Sequence, residues 1–494
     1  MCVPPGSLFL RLIRKIACHS TRMIRCLAGW VTTWCYPFQK QGCLTFFLSG
    51  CSDSFCLKGR VPLSQFLNDF VVGIDVSSEF SIVAMLAPTG ELIRKPFRID
   101  HNPAGFHKLL DILKKEEERL NRKPIYFVES TGIFHLPLFF FLKSNDLKGF
   151  VLNPLCVHST KNFDLRKVKN DNKDSEAIAR LAKYQDIKVS MMPEPQILAL
   201  RMMTREYYAV SDMLTEMKNR LCTDLYLLFP GFLDVFSGTF GKTALAVLRS
   251  YPSPSALREA DTDVLTLLIS KTSRKSSEWA SKKVALLRDC AQLASSMPSE
   301  FSLLDTKIKF HIDGIEHMQT SLNGIEAQIH KMINSKEFPA KARRNVELLD
   351  EIPGVGFLTA ATLIAEIGDF SLFNSPKALT AFFGLDPSVN QSGKFNGDRN
   401  KISKRGTRIG RRILFTIAMA SIRTTRNGKE INPVLREFYT SKCISKKKKV
   451  ALVAVMHKLL HYIYAVLRDQ KPFAIRRPED HQTWRTTKPQ SEAA

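Results

Sequence analysis

The chain has 494 residues, and its 72 Lys and Arg outnumber its 47 Asp and Glu to give a formal net charge of +25. This excess favours a polyanionic partner, of which nucleic acid is the first candidate. A membrane surface is the competing partner, but no charge-free apolar stretch reaches the roughly 20 residues that span a bilayer. The length allows about three domains, and we expect no membrane partner and a cytoplasmic, nucleoid-associated location.

Residues 1–69 differ in composition from the rest of the chain. They hold seven of the eleven cysteines, at irregular spacings and without a CxxC pair, which argues against a zinc site. A signal peptide is a weak alternative because the apolar runs are broken. We interpret residues 1–69 as an N-terminal extension unrelated to the core, and a start codon assigned too far upstream would explain it.

Residues 70–190 alternate strand and helix patterns, which indicates an α/β domain. A β-branched run ends on Asp75, and a second apolar strand ends on Glu129. Asp171 and Asp174 stand three apart at the start of a helical pattern, so they share one helix face. Further strand patterns cover 80–87, 91–98 and 150–152, and helical patterns cover 103–122 and 134–142.

The acids at these positions predict a metal site. Carboxylates that converge on one point repel each other, so four of them require a cation. Hard oxygen ligands suit Mg²⁺ or Mn²⁺, and two such ions can hold the attacking and leaving oxygens of a phosphodiester. Separate surface acids are the alternative, and Asp171 by itself is better explained as a helix cap. The ordered set, with the first two acids ending strands, is typical of a ribonuclease H-like (RuvC-like) nuclease core.

Residues 191–345 have a helical, coiled-coil pattern. Apolar residues recur at 3,4 spacing from Leu200 to Leu221 and again from Ile308 to Met332. Such seams predict either an antiparallel hairpin within the chain or pairing across a dimer, and each helix packing on its own domain is the simpler alternative. The segment between them, about 232–300, is predicted to be mostly helical, with no assigned role.

Residues 346–440 form a helical C-terminal domain with a helix-hairpin-helix-like motif. Gly354 and Gly356 lie in the turn between two helical patterns, where backbone N–H groups can bind a phosphate. An ordinary tight connection would look the same. A basic stretch with one acid follows and strengthens the nucleic-acid interpretation: Lys394, Arg399, Lys401, Lys404, Arg405, Arg408, Arg411 and Arg412. Residues 441–494 add a basic helix and a tail.

Six short motifs occur in a specific order across residues 70–430. They are Val72–Ser77, Phe127–Gly132, Lys169–Ser175, Ile352–Gly356, Gly384–Gly393 and Ile402–Gly406. Together they resemble the insertion-sequence transposases of the IS110 type, which pair an N-terminal RuvC-like DEDD domain with a C-terminal domain of the transposase-twenty type. Asn170 and Ser175 depart from the family pattern but keep the acids in place, and residues 1–69 have no family counterpart.

The resemblance implies a recombinase that cuts and rejoins DNA, with Ser392 as the nucleophile of a phosphoserine intermediate. The residues alone do not select Ser392, because Ser388 and Ser403 lie in the same region. A serine hydroxyl needs activation, which a metal site could supply. The resemblance also implies a structured guide RNA that pairs with donor and target DNA. Paired strand exchange favours a homo-oligomer, either a dimer or a tetramer.

Two other functions remain open at this point. A RuvC-like structure-selective nuclease would cut junctions by water attack, without a serine intermediate. A catalytically inactive nucleic-acid-binding remnant would keep the basic surface without the chemistry, although the intact set of acids argues against it. A covalent protein–DNA adduct that is lost on Ser392→Ala would separate the first alternative from a recombinase.

Overall fold

The computed structural model describes residues 64–129, 132–152, 171–185, 192–294, 305–387, 391–392, 395–396 and 401–477. The chain divides into two units, one of residues 1–148 with 154–188 and one of residues 149–153 with 189–494. The division falls close to residue 190, where the sequence pattern placed the end of the α/β domain.

A five-stranded mixed sheet has the order β3-β2-β1-β4-β5, and strands β1 to β4 belong to the first unit. β1 pairs antiparallel with β2 and parallel with β4, and β2 pairs antiparallel with β3. Val71, Val72 and Ile74 of the central strand are fully buried, as expected for a strand covered on both faces. The strands are β1 (Phe70–Val76), β2 (Phe80–Leu86), β3 (Leu92–Asp100), β4 (Pro124–Glu129) and β5 (Lys148–Leu152). The expected mixed α/β fold is confirmed.

Three helices accompany the sheet in the described part of this unit. They are α1 (Pro103–Leu120), α2 (His135–Ser144) and α3 (Asp171–Tyr184). α1 begins where the Asn102 side chain accepts a hydrogen bond from the Gly105 N–H, with Pro103 at its first position. The Tyr126 hydroxyl of β4 donates a hydrogen bond to the carbonyl of Phe139. α2 therefore covers the face of the sheet from which the Tyr126 side chain projects. α3 lies on the opposite face.

The six residues before β1 belong to this packed unit. Ser64 donates a hydrogen bond to the carbonyl of Ala182, and the ring of Phe66 packs edge-on against Phe127 at 5.0 Å. Lys183, which is almost fully buried, donates to the carbonyl of Asp69 at 2.9 Å. The part of the predicted extension that the structure describes is thus anchored to α3 and β4, whereas residues 1–63 lie outside the description.

Two long helices form an antiparallel hairpin in the second unit. α4 (Pro195–Leu228) runs against α10 (Asp305–Asn334). At one end Asp224 is bound by Lys307 at 2.7 Å and lies 3.0 Å from the imidazole of His311. At the other end Leu200 and Ile329 share one core. The two seams therefore pair within the chain, so the predicted antiparallel hairpin is confirmed.

The segment between the two long helices is helical where it is described. Its helices pack with Leu221, Leu225 and Ile312 of the hairpin into one apolar core. They are α5 (Phe232–Val235), α6 (Lys242–Ser250), α7 (Pro254–Glu259), α8 (Thr262–Ser273) and α9 (Ser277–Leu293).

A second core of this unit joins the hairpin to the C-terminal helices. These are α11 (Ala340–Asp350), α12 (Phe357–Ile367), α13 (Pro376–Phe382), α14 (Arg408–Ser421), α15 (Pro433–Ser445) and α16 (Lys448–Asp469), with the short strands β6 (Gln391–Ser392) and β7 (Phe395–Asn396). By length and composition α16 could cross a membrane. However, Val455, Leu459 and Ile463 are fully buried in this core, so α16 completes the domain that the sequence pattern had ended near residue 440.

Candidate active site

The register of two parallel strands brings the first two acids side by side. β1 and β4 pair Gly73 with Phe127 and Ile74 with Val128, so Asp75 and Glu129 are the next residues along each strand. Neighbouring strands lie about 4.8 Å apart, and residues at the same level of a parallel pair point to the same face. Asp75 and Glu129 therefore project together from the carboxyl end of the sheet.

The orientation of α3 carries the Asp pair toward the same end. The carboxyl end of α3 is fixed at the start of β1, because Lys183 binds the carbonyl of Asp69. Asp171 lies about 18 Å back along the helix, and Asp75 lies about 20 Å along the strand from Asp69. The amino end of α3, with Asp171 and Asp174, thus reaches the level of Asp75.

Gly73 decides which face of the sheet α3 covers. A Cβ at Gly73 would lie 2.4 Å from the carbonyl oxygen of Ser175 and 2.5 Å from the backbone nitrogen of Ala179. Because alternate residues of a strand share a face, α3 lies on the face of Asp75. The absence of a side chain at Gly73 is what allows the helix backbone to rest directly on the strand.

The surroundings of Ser175 explain why a serine is tolerated at this position of the family pattern. It is fully buried where α3 meets β1, and its hydroxyl donates to the carbonyl of Asn172 at 3.0 Å. A small residue is needed there, and a serine satisfies its own polar group within the helix.

The described side chains do not by themselves define a closed metal centre. Among them, no group of three His, Cys, Asp or Glu residues is close enough to hold a metal ion. The side chain of Asp171 lies outside the description, and only its backbone is placed in α3. The donor set nevertheless fits Mg²⁺ or Mn²⁺, because all four residues are carboxylic acids and their backbone positions lie at one end of the sheet.

Ser392 lies in a short hairpin whose base is closed by two of the sequence motifs. β6 pairs Gln391 with Asn396 and Ser392 with Phe395. At the base of the loop, the Ser403 hydroxyl donates to the Asp386 carboxylate at 2.5 Å, and the Ser403 N–H donates to the Asp386 carbonyl at 2.8 Å. Only the backbone of Ser392 is described, so its hydroxyl is not placed, and Ser388 lies outside the described residues.

Two glycines allow two segments of the chain to pass close to each other at the base of the loop. Gly384 has φ of 64°, and a Cβ there would lie 2.7 Å from the backbone nitrogen of Arg405. A Cβ at Gly406 would lie 2.1 Å from the carbonyl oxygen of Phe382. The Lys404 N–H donates to the Gly384 carbonyl, and His457 of α16 is hydrogen-bonded to the carbonyl of Leu385. We name the contacts around Asp386 and Ser403 the loop clamp.

The turn between α11 and α12 is packed against α14. Gly354 has φ of 98°, and a Cβ there would meet the Cα of Ser421 at 2.8 Å; Ser421 also donates to the carbonyl of Pro353. The Gly356 N–H donates to the hydroxyl of Thr359 at 2.9 Å. Gly354 thus has a packing role, and phosphate binding by Gly354 and Gly356 stays a prediction.

The basic stretch separates into two groups in the described residues. Arg411 donates to the carbonyls of Phe383 and Gly406, and burial lowers its pKa. Arg412 pairs with Asp212 at 2.7 Å and lies over the ring of Tyr208. Both therefore support the fold of this region.

The other basic side chains of the stretch face solvent where they are described. Lys401, Lys404, Arg405 and Arg408 are exposed, and within the described ranges Lys404, Arg405 and Arg408 form no ion pair with a carboxylate. Lys394 and Arg399 lie outside the described residues. Among the described residues of the stretch, Lys404, Arg405 and Arg408 are therefore the ones available to a polyanion.

Sequence patterns missed an ion pair beside this stretch, between the buried Glu366 and the half-exposed Arg205. Glu366 of α12 accepts two hydrogen bonds from Arg205 of α4, at 2.7 and 3.0 Å. Burial would raise the pKa of Glu366, but the hydrogen bonds from Arg205 and Thr407 lower it overall. Because Thr407 caps α14, this pair ties the long hairpin to the helix that follows the loop clamp. An acid within the apolar run of α12 was the only signal in the sequence.

Comparison with known proteins matches both halves of the chain. Residues 72–230 match the DEDD transposase family model of the IS110 type, and residues 346–440 match the model described as Transposase IS116/IS110/IS902 family. The first covers the sheet with its acids, and the second covers α11 to the loop clamp and α14.

Curated relatives agree with these matches. A pilin gene-inverting protein of Moraxella bovis is 33% identical over 162 residues, which cover 33% of this chain and 48% of that protein. The transposase for insertion sequence element IS1111A of Coxiella burnetii is 32% identical over 141 residues, 27% of this chain and 36% of that protein. The mini-circle putative transposase for IS117 of Streptomyces coelicolor is 24% identical over 335 residues, 65% of this chain and 77% of that protein. The chain thus spans about half the length of the pilin gene-inverting protein.

The mixed sheet with acids at one end is consistent with a RuvC-like domain, and its pairing with the helical C-terminal domain is characteristic of transposases. The chain belongs to the IS110-type family of insertion-sequence transposases.

Proposed function

We propose that this protein is a DNA transposase, a recombinase that cuts and rejoins DNA at the ends of an insertion sequence. One observation carries the proposal: the register of β1 and β4 sets Asp75 beside Glu129, and α3 runs so that its two acids reach the same end and face. Structural acids scattered on a surface have no reason to share one level of a parallel strand pair.

The acids would hold one or two divalent cations, Mg²⁺ or Mn²⁺. Bound there, a cation would neutralise charge on the scissile phosphate and lower the pKa of a coordinated hydroxyl. The protein's part is to keep four carboxylates at the carboxyl end of a rigid sheet, where strand register fixes their spacing. Asp75, Glu129, Asp171 and Asp174 are the proposed ligands.

The nucleophile in this proposal is Ser392. Its Oγ attacks the phosphorus and loses its proton, the phosphodiester bond to the leaving oxygen breaks, and that oxygen departs as a hydroxyl group. The phosphoserine retains the energy of the original bond, so a hydroxyl from another DNA end can displace the serine and rejoin the strands. The loop clamp supports this role, because it holds both ends of the segment that carries Ser392.

The proposed partners follow from charge and from the family. DNA would be held by the exposed group Lys401, Lys404, Arg405 and Arg408, with Lys394 and Arg399 alongside in the sequence. A structured guide RNA and a dimer or tetramer are proposed on the family resemblance and on the pairing of strands during exchange. The relatives named pilin gene-inverting protein and transposase are consistent with DNA rearrangement.

The test is a covalent-adduct assay on DNA that carries the sequences flanking the gene. The wild type should form an SDS-resistant protein–DNA adduct with Mg²⁺ and none in excess EDTA. Asp75→Asn and Glu129→Gln should abolish cleavage while DNA binding persists. Ser392→Ala should abolish the adduct, whereas the matched control Ser388→Ala should retain it. Full activity in EDTA would contradict the metal site.

A structure-selective nuclease is the second candidate, because the acids alone suffice for water attack. It would cut branched DNA in Mg²⁺ without an adduct, and Ser392→Ala would cut at the wild-type rate. That pair of results would replace the recombinase proposal.

A further inference from the structure

A cleft in the first unit opens at the same end of the sheet as the acids. Its volume is about 500 Å³, within the range of ligand pockets. The residues that line it are Ser78, His101, Asn102, Pro103, Phe106, His107, Ile133, Phe134, Pro137 and Phe141. Ser78 follows Asp75 in the turn after β1, and Ile133 follows Glu129 after β4. Two parts of its wall therefore begin at the strand ends that carry the acids.

One side of the cleft is built of rings that support one another. Phe106 and Phe141 lie 5.4 Å apart, and His107 meets Phe141 edge-on at 5.2 Å. His101 meets Phe106 edge-on at 5.9 Å. Edge-to-face packing of this kind fixes ring orientation, so the side is a rigid aromatic surface.

The other side exposes apolar groups to solvent. Ile133 is 58% exposed and Phe134 is 47% exposed. Exposed large apolar side chains beside a rigid aromatic surface indicate a binding site more than single exposed residues do.

The lining of the cleft carries no acidic side chain, and two of its ten residues are histidines. Burial lowers the pKa of His101, although the Ser78 backbone and Asp100 act in the opposite direction. Its ring is therefore neutral at pH 7 and adds to the apolar wall, while a phosphate chain meets no repelling charge on the lining.

We propose that this cleft holds one unstacked base of the DNA strand whose phosphate lies at the acids. Nucleobases have flat faces that stack on aromatic side chains with little dependence on sequence. A strand that places a phosphate beside Asp75 and Glu129 can direct a neighbouring base around the same edge of the sheet, toward Phe134. The inference rests on the proposed function, which supplies DNA as the occupant and places its phosphate at the acids.

The first measurement is the affinity of the full chain for a short oligothymidylate. Phe134→Ala should weaken binding by about 5- to 150-fold, because one base–aromatic stack is lost. The slope of log affinity against log salt should stay unchanged, because Phe134 carries no charge. Phe134→Tyr should bind like the wild type. The matched control is Phe310→Ala, which removes a phenyl ring that is 64% exposed in the other unit and should have no effect.

The second measurement is photo-crosslinking with 5-iodouracil in the centre of the same oligonucleotide. The crosslinked peptide should contain Phe134, Phe106 or Phe141, and the yield should fall in Phe134→Ala. Equal affinity of the wild type and Phe134→Ala, or crosslinks confined to the second unit, would overturn the inference. A loss that appears only with oligouridylate would also overturn it, since the occupant would then be RNA.

Neither measurement requires strand cleavage. A protein that binds DNA through Phe134 but cleaves in EDTA would keep the base-stacking cleft and lose the proposed metal site. If the protein cleaves with Mg²⁺ but Phe134→Ala leaves its DNA affinity unchanged, the proposed metal site is kept and the cleft inference is lost.

Discussion

The acids of the first unit and the candidate nucleophile of the second are held in different ways. Asp75 and Glu129 are placed by strand register, which rests on a ladder of backbone hydrogen bonds. Ser392 lies in a hairpin with two residues in each strand, and the loop clamp at its base rests on the Asp386–Ser403 contact. The first site is set by a ladder of many backbone hydrogen bonds, whereas the second rests on two backbone hydrogen bonds and the Asp386–Ser403 side-chain contact.

The two sites should therefore be sensitive to different kinds of substitution. A ladder spreads its stabilisation over many bonds, so the loss of one side chain changes it little, whereas a backbone collision displaces a whole helix. A loop closed by a few contacts, one of them charge-assisted, can lose its geometry through a single polar substitution while the surrounding core stays folded.

The largest effect is expected from Gly73→Ala. The new Cβ would collide with backbone atoms of Ser175 and Ala179, which cannot rotate away as a side chain can. The first unit should lose about 1–3 kcal/mol or more of stability, measured as faster hydrogen exchange in β1 and α3 of the full chain.

Gly324→Ala is the matched control for that substitution. It lies within α10 with nothing within 4 Å of the new Cβ, so stability should stay the same or rise by about 0.5–1 kcal/mol. Equal exchange rates in the wild type and Gly73→Ala would mean that α3 does not rest on β1 as described.

An intermediate effect is expected at the loop clamp. Ser403→Ala or Asp386→Asn should slow adduct formation by up to about 100-fold, because a shift of about 1 Å in a reacting group costs that much. The double variant should be no slower than the worse single one, as expected for residues in one contact.

The clamp variants should unfold at nearly the wild-type temperature. Thr440→Ala is the control, because its hydroxyl donates only to the carbonyl of Arg436 in its own helix. Adduct formation at the wild-type rate in both clamp variants would show that the base of the loop does not position the serine.

The smallest effect per residue is expected from the exposed basic group. Replacing Lys404, Arg405 and Arg408 with Gln should flatten the slope of log affinity for duplex DNA against log salt by up to about three units, about 0.9 for each lost phosphate contact. Replacing the exposed lysines Lys271, Lys275 and Lys309 should leave the slope unchanged. If both triple variants behave alike, the DNA surface lies elsewhere.

Local patterns predicted most of the first unit. An apolar run that ends on an acid predicts a buried strand, and the strands β1 and β4 confirm this for the runs that lead to Asp75 and Glu129. The functional role of the two acids stays a prediction. The same reasoning could not choose Ser392 over Ser403. The hydrogen bond from Ser403 to Asp386 now gives Ser403 a role in the loop clamp, but it involves residues 17 positions apart with no periodic relation.

The sequence by itself determined where most helices and strands form and where the acids stand along them, and its charge made a polyanion the expected partner. These follow from short-range periodicity and from composition, which neighbouring residues specify. Only the tertiary structure decided that the two seams pair with each other and that Arg411 and Arg412 serve the fold while Lys404 and Arg405 face solvent. It also decided that an aromatic cleft opens at the end of the sheet that carries the acids. Those outcomes depend on which surfaces meet across long sequence separations, and a close contact such as Gly73 against Ser175 exists only once the chain has packed.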